Sequence, residues 1–368
     1  MKPSIPPVPR AAFNPIIHED VRSIVADLSS VLARLQGTTL LVTGGGGFVC
    51  SYFLDTLFCL NDEVFETPCH VISVDNLRTG TRERVAHLAS RSDFTFIEHD
   101  VSLPLVLPGQ VDWVIHGAGI ASPTFYRRFP LETIDVNVSG TRHMLELSRS
   151  PGVRGMLYLS TSEIYGDPEA RFLPTPEHYR GFVSCTGPRA CYDESKRLAE
   201  TLCVTYHQRY SVPVKIVRPF NVYGAGQRLD DRRLIPDMIS AALGREPLVL
   251  LSDGQATRAF CYISDAITAM WQVLLSGFDG EAFNVGNDER EISIRELAEE
   301  VRRAAGPPWL DIQLSTSDDI NYLTDNPQRR CPDLAKLRSL LGWSPRVPLS
   351  DGLRRTLLSY QEMGGSKE

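Results

Sequence analysis

Two hydrophobic rhythms divide the 368-residue chain. Short apolar runs at residues 39–42, 70–74, 94–97, 111–116, 156–159 and 212–217 have the length and content of strands. Between them, apolar positions recur every three or four residues, as in Phe53, Leu54, Leu57 and Phe58, then over residues 131–147, then at Leu198, Leu202 and Tyr206. That spacing predicts amphipathic helices. Alternating strands and helices predict an α/β fold, a Rossmann-like doubly wound parallel sheet. Ahead of it, residues 19–35 show helical spacing that stops at Gly37, and residues 1–15 carry prolines at 3, 6, 7 and 9, a loosely attached lead. Beyond residue 218 the alternation becomes irregular, with helical spacing at about 263–275, 293–304, 334–341 and 350–360 and a strand-like run at 247–251. The expected division is an extension at 1–37, a dinucleotide-binding domain at 38–218 and a smaller α/β substrate lobe at 219–368 that can return chain to the sheet.

The first strand runs into Thr43-Gly44-Gly45-Gly46-Gly47-Phe48-Val49-Cys50, and a helix follows. In that context a glycine run points to a dinucleotide. Gly44 makes the tight turn, Gly47 lets a pyrophosphate approach the backbone, and the helix amino terminus at Phe48 and Val49 supplies a favourable field. Cys50 stands where a third glycine would allow close helix-to-strand packing. The second strand ends in Asp75-Asn76, an acid placed to accept from ribose hydroxyls and to repel a 2′-phosphate, so NAD is expected over NADP, with Arg78 nearby leaving some room for the latter. Asp100 and Val101 follow the third strand at the adenine side, and small residues after the fourth, Ala118 among them, leave space for the nicotinamide ribose. His116 reads as a structural histidine at a strand end.

The fifth strand ends in Ser160-Thr161-Ser162-Glu163, and Tyr192 and Lys196 open a later helix. Four residues apart, they share one helix face, so the ammonium is expected to lower the phenol's pKa and make Tyr192 a general base for an alcohol, with a nearby hydroxyl sharing the proton. Arginines gather in the half beyond residue 218. A guanidinium fork suits a diphosphate or carboxylate, and Arg233, Arg258 and Arg330 stand out for that task.

Bulk composition narrows the classes. With 42% hydrophobic and 23% charged residues the chain is ordinary globular material, and a formal charge of -7 speaks against a nucleic-acid partner. The eight cysteines form no Cys-x-x-Cys, so no metal site or disulfide framework is expected. Without an apolar run of about 18 residues no membrane span is expected, and buried thiols suit a reducing, cytoplasmic setting.

Taken together, the glycine run, Asp75-Asn76, Ser160-Thr161-Ser162-Glu163-Ile164-Tyr165-Gly166-Asp167-Pro168, Tyr192 with Lys196, Arg218-Pro219-Phe220-Asn221-Val222-Tyr223-Gly224 and Phe260-Cys261-Tyr262-Ile263-Ser264-Asp265 resemble the extended short-chain dehydrogenase/reductase family of nucleotide-sugar enzymes, over about residues 38–345. Within it, Ala121-Ser122-Pro123-Thr124-Phe125-Tyr126 and Gly187-Pro188-Arg189-Ala190-Cys191-Tyr192-Asp193-Glu194-Ser195-Lys196-Arg197 are similar to the UDP-glucuronate decarboxylase branch. Departures are Cys50, Ser184-Cys185-Thr186 in place of an Asn-Pro loop, and Ala256 where a glutamine usually precedes Thr-Arg. The resemblance implies an NAD enzyme in which Tyr192, Lys196, Thr161 and Ser162 oxidise the sugar at carbon 4 and UDP-glucuronate loses CO2 to give UDP-xylose, with the cofactor restored. It further implies that Glu163 orients the sugar or a water, that Arg258 holds the carboxylate or assists protonation at carbon 5, and that Asn221, Arg233 and Arg330 hold the nucleotide diphosphate. Ser122 and Tyr262 complete the implied substrate site, and outward apolar residues of the 131–147 and Tyr192 helices imply a homodimer. Open beside it are a nucleotide-sugar 4,6-dehydratase, which would want an acid where Ser162 stands, a 4-epimerase, which needs no carboxylate at Glu163, and a silent NAD-sensing module, which needs no Tyr192 and Lys196.

Overall fold

The structure is a computed structural model, and it describes residues 14–107, 109–306 and 310–364. All but the last two residues of the expected proline-rich lead lie outside them. Helix α1 (Pro15–Leu32) precedes β1 (Thr39–Thr43), α2 (Phe48–Glu63), β2 (His70–Asp75), β3 (Phe94–Glu98) and β4 (Trp113–His116). Next come α3 (Pro123–Arg128), α4 (Pro130–Asp135), α5 (Thr141–Leu147), β5 (Gly155–Leu159), α6 (Ala190–Tyr210) and β6 (Val214–Pro219). The rest comprises β7 (Val222–Tyr223), α7 (Leu234–Gly244), β8 (Leu248–Leu250), β9 (Thr257–Ala259), β10 (Cys261–Tyr262), α8 (Ile263–Leu274) and β11 (Ala282–Val285). It closes with β12 (Glu291–Ser293), α9 (Ile294–Ala305), β13 (Ile312–Leu314), β14 (Arg329–Arg330), α10 (Ala335–Leu341) and α11 (Leu349–Gly364).

Seven strands form one sheet in the order β11-β6-β5-β4-β1-β2-β3, every neighbouring pair parallel. Side chains alternate across it. Leu40, Val42 and Leu157 face the layer that contains α2 and α8, whereas Leu41, Met156 and Tyr158 face the layer of α5 and α6. Sheets covered on both faces explain why the strand segments read as continuous apolar runs. Strand β11, from beyond residue 218, adds beside β6 as the edge strand.

The helix expected over 131–147 is continuous but not uniform, because α4 passes into α5 through a π turn at Val136–Gly140. Such turns often sit at functional positions, and this one carries the buried Asn137 toward the site. The helix expected over residues 19–35 is α1, which lies against α2, α8 and α11. It is fastened by Asp20, whose carboxylate accepts from Tyr52 at 3.2 Å, Tyr262 at 2.8 Å and Arg355 at 2.7 Å.

Candidate active site

The strand order reverses between β1 and β4, and a cleft opens there at the carboxyl ends of the strands. Gly44 has φ +80°, and a Cβ on it would stand 2.8 Å from the Ala118 amide nitrogen, so only glycine lets the two strand ends approach this closely. No side chain caps α2 at Gly47, which leaves its first amides for an anion. The Asp75 carboxylate accepts from the Gly46 and Leu77 amides at 2.9 and 2.8 Å and lines the cleft with Gly47, Asn76, Asp100, Val101 and Ala118. Cys50 keeps the tight packing expected of a third glycine by a reciprocal route. Its Sγ lies 2.2 Å from where a Cβ of Gly117 would be, so the missing side chain has moved across to the fourth strand's end. The cradle at Gly44, the uncapped helix and the acid at the end of β2 fit a dinucleotide, with Phe48 and Val49 opening the helix that meets its pyrophosphate.

Tyr192 and Lys196 both lie on the buried side of α6 and reach this cleft. The Lys196 ammonium comes within 3.6 Å of the Cβ position of Gly119, one of the cleft's lining residues. The expected pKa effect is not what the structure holds. Lys196 donates to the Leu159 carbonyl at 2.8 Å and stands 6.0 Å from the centre of the Tyr192 ring. Burial pushes Tyr192 up to about 12, while a hydrogen bond with Thr161 and the charge of Arg233 pull it back. Helical spacing brought the two side chains to one face, but the strand-end carbonyl claims the ammonium. Burial also brings Lys196 down to about 8. Tyr192 stacks on Tyr126 with centroids 5.0 Å apart.

Of the three hydroxyls after β5, Thr161 is the one that meets Tyr192. Ser160 is spent on Glu200 at 2.5 Å, and Ser162 is buried in the turn that follows. Glu163, at the start of that turn, is gripped by Arg189 and by Arg330, the latter at 2.6 Å. Burial alone would raise its pKa, but the charges of Arg189, Arg330 and Arg258 outweigh that and hold it down at about 2. Arg258 is buried behind the pair, donating to the Thr257 and Pro327 carbonyls at 2.7 Å and to Asn326 at 3.1 Å. Burial and the neighbouring Arg330 lower it to about 9. The three guanidiniums come from α6's entry, β9 and β14, and β9 and β14 are paired so that Arg258 and Arg330 are register partners.

Other expected site residues are placed differently. Tyr262 is not at the site: β10 pairs with β7 and turns its ring to the Asp20 knot on the far side, where it is fully buried. The Ser122 hydroxyl donates to the Asp231 carbonyl at 2.7 Å and ties two loops together. Asn221 keeps its side-chain amide on the Ala259 carbonyl at 2.9 Å, and Arg233 pairs with Asp231 at 3.0 Å while its charge reaches Tyr192. His116 is structural as expected, held between Thr43 and Thr141 at 2.7 and 3.1 Å and pushed down to about 3 by burial. Sequence reasoning passed over Arg189, Asp193 and Asn137 as site residues. The first two stood in a quoted motif, and Asn137 donates to Ser195 at 2.9 Å, with its carbonyl oxygen 3.3 Å from the Cβ position of Gly119.

Residues 40–286 match the NAD dependent epimerase/dehydratase family. The chain belongs to that family. It is 40% identical to UDP-glucuronic acid decarboxylase 2 of Arabidopsis thaliana over 338 residues, 91% of this chain and 71% of that protein. Among solved structures it superposes on the dTDP-glucose 4,6-dehydratase DesIV of Streptomyces venezuelae, which has NAD bound, with a TM-score of 0.77 and 27% identity over 89% of this chain and 98% of that one. The UDP-glucuronic acid 4-epimerase of Bacillus cereus, in complex with UDP-glucuronic acid and NAD, gives a TM-score of 0.72 and 26% identity over 88% of this chain and 99% of that one.

Proposed function

We propose that this chain decarboxylates UDP-glucuronate to UDP-xylose through a 4-keto sugar, with no net oxidation. The observation that carries this reading is the ring of Arg189, Arg258 and Arg330 about Glu163, next to the Thr161 and Tyr192 pair. Two buried cations, Arg258 and Arg330, and the half-buried Arg189 against one ionised carboxylate leave positive charge for an anionic sugar nucleotide to neutralise. Kinship with proteins named UDP-glucuronic acid decarboxylase points the same way.

Bound NAD supplies a reversible two-electron acceptor for carbon 4 of the sugar. Gly44, Gly47, Phe48 and Val49 would hold its diphosphate, and Asp75 and Asn76 its adenosine ribose. Tyr192 takes the proton of the C4 hydroxyl, passed through Thr161, and returns it at the end. The phenolate this needs is the minor form of the free site, and Arg233 favours it by charge. With carbon 4 a ketone, a carboxylate at carbon 5 is β to a carbonyl and leaves as CO2, its bonding pair passing into the enolate. Glu163, ionised at neutral pH, cannot donate the proton that carbon 5 then needs. It accepts a bond from a sugar hydroxyl or a water and so fixes the ring. Arg258, whose pKa is lowered toward 9, stands nearest the role of holding the leaving carboxylate and assisting that protonation. Arg330 and Arg233, with Asn221, are left for the diphosphate.

The same reading takes residues 38–218 as the cofactor unit and 219–368 as the substrate lobe. A homodimer is part of it, because Leu131 and Ile134 on α4 and Leu198 on α6 are exposed by 72%, 39% and 48% on neighbouring helices. Eight unpaired thiols suit the cytoplasm, and no helix of the described residues is long and apolar enough to cross a membrane.

A turnover assay tests the assignment. Purified protein with NAD and UDP-glucuronate is expected to release CO2 and a pentose nucleotide, and to leave dTDP-glucose unchanged. Tyr192→Phe is expected to cut kcat about 10³-fold while NAD still binds. A 4-keto-6-deoxy sugar from dTDP-glucose would replace decarboxylation by dehydration.

A further inference from the structure

Asp193 follows Tyr192 on α6 and is 4% exposed, yet its Oδ1 has no hydrogen-bond partner. Its Oδ2 is 3.6 Å from Nε of Arg189, which also lacks a hydrogen bond, while the outer nitrogen of the same guanidinium is bonded to Glu163. Asp193 further lines a cavity of about 460 Å3 between Phe182, Val183 and Ser184 on one side and Asp325 and Asn326 on the other. Arg189 lies over the ring of Tyr126 at 5.9 Å, and Tyr126 stacks on Tyr192. A small swing of this one guanidinium would therefore be felt at both Glu163 and the base.

We propose that Asp193 is a positioning residue that competes with Glu163 for Arg189. While Asp193 keeps its proton, the guanidinium stays on Glu163 and holds that carboxylate in place for the sugar. When Asp193 ionises, a second anion draws the guanidinium toward itself and repels Glu163, and the grip loosens.

The charged groups about Asp193 bear on this balance, and Tyr126, Tyr192 and Cys191 are further titratable groups that feel its charge. From its own helix entry there is Arg189, and from the turn after β5 there is Glu163. Arg330 on β14 acts on it directly, and Arg258 on β9 acts on the same Glu163. Across the cavity stand Asp167 and Asp325. Burial and then the Glu163 charge push Asp193 up to about 7, against the pull of Arg189 and Arg330. The competition is thus poised within the working pH range, where a small change in environment decides it.

The inference rests on the decarboxylase reading, so its test has one arm that needs turnover and one that does not. The first compares, for wild type and Asp193→Asn, the ratio of kcat/KM for CO2 release at pH 8.0 to that at pH 6.0, a quantity set by groups of the free protein. Loss of one proton near pH 7 makes the wild-type ratio small, and the Asp193→Asn ratio is expected to be about tenfold larger. Asp193→Ser is expected to shift it in the same direction if the asparagine variant does not fold. Ratios equal within twofold would overturn the proposal. The second arm follows the melting temperature of unliganded protein from pH 5 to 8. A raised pKa means that the folded state keeps a proton the unfolded chain has lost, so its stabilisation is complete below the ordinary carboxylate value and disappears as pH rises through about 7. Wild type should lose melting temperature over that window and Asp193→Asn should lose less; identical declines would overturn the proposal. Wild type that releases no CO2 removes the decarboxylase reading alone, since melting still decides on the Asp193 proton.

Discussion

At the scale of single residues, the site is governed by burial as much as by pairing. Tyr192, Lys196 and Asp193 are nearly closed to solvent and the Glu163 side chain is 16% exposed, and their charges depend on which partner compensates for lost hydration. Lys196 donates to the Leu159 carbonyl rather than to an anion, and burial brings it down to about 8. In Asp193→Asn protein, where the acid limb of Asp193 is gone, kcat/KM is therefore expected to fall as pH rises through about 8, measured as CO2 release; a flat profile to pH 9.5 would contradict a role for the ammonium. Tyr192, Lys196, Thr161 and Glu163 were legible in the sequence because their motifs lie close in the chain. The lysine's partner was not, since i to i+4 spacing fixes the face a side chain shares and not the acceptor at its tip. Arg189 and Asp193 were hidden for a related reason. A helix entry shows an arginine four residues before an acid, but the Glu163 that Arg189 also grips arrives from 26 residues earlier in the chain, on a different turn.

Among elements, the fold's alternation was plain from apolar spacing, and the cleft followed from a strand, a glycine turn and a helix in that order. What spacing could not show is how the short pieces after β6 are distributed. Pairing of β14 with β9 delivers Arg330 and Arg258 side by side to the site. Pairing of β10 with β7, by contrast, carries Tyr262 away from it, although Tyr262 follows Arg258 by only four residues. Tyr262 instead gives Asp20 one of its donors, at 2.8 Å, in a buried knot of α1, α2 and α11. Tyr262→Phe is expected to cost about 1–2 kcal/mol in urea unfolding and to leave kcat and KM for UDP-glucuronate within twofold of wild type. A tenfold change in KM at unchanged stability would return Tyr262 to the substrate site.

For the whole molecule, seven parallel strands with both faces covered make a frame, and the chain beyond residue 218 is stitched into it because β11 completes the same sheet. Leu131 and Ile134 on α4 and Leu198 on α6 leave exposed apolar side chains on two neighbouring helices, the second of which carries Tyr192. If this surface joins two copies, the dimer would brace the helix that carries the base. Leu131→Glu combined with Leu198→Glu is expected to sediment as a single chain where wild type sediments as two; wild type that sediments as one chain at micromolar concentration would remove the dimer.

The central claim is that carbon 4 loses and regains the same hydrogen while carbon 5 exchanges CO2 for a proton. Turnover of UDP-glucuronate in deuterated water, with the product read by proton and carbon NMR, tests it most directly. The account predicts a pentose nucleotide with one deuterium at carbon 5 and ordinary hydrogen at carbon 4. Deuterium at carbon 4, or a product that keeps its carboxylate, would contradict it.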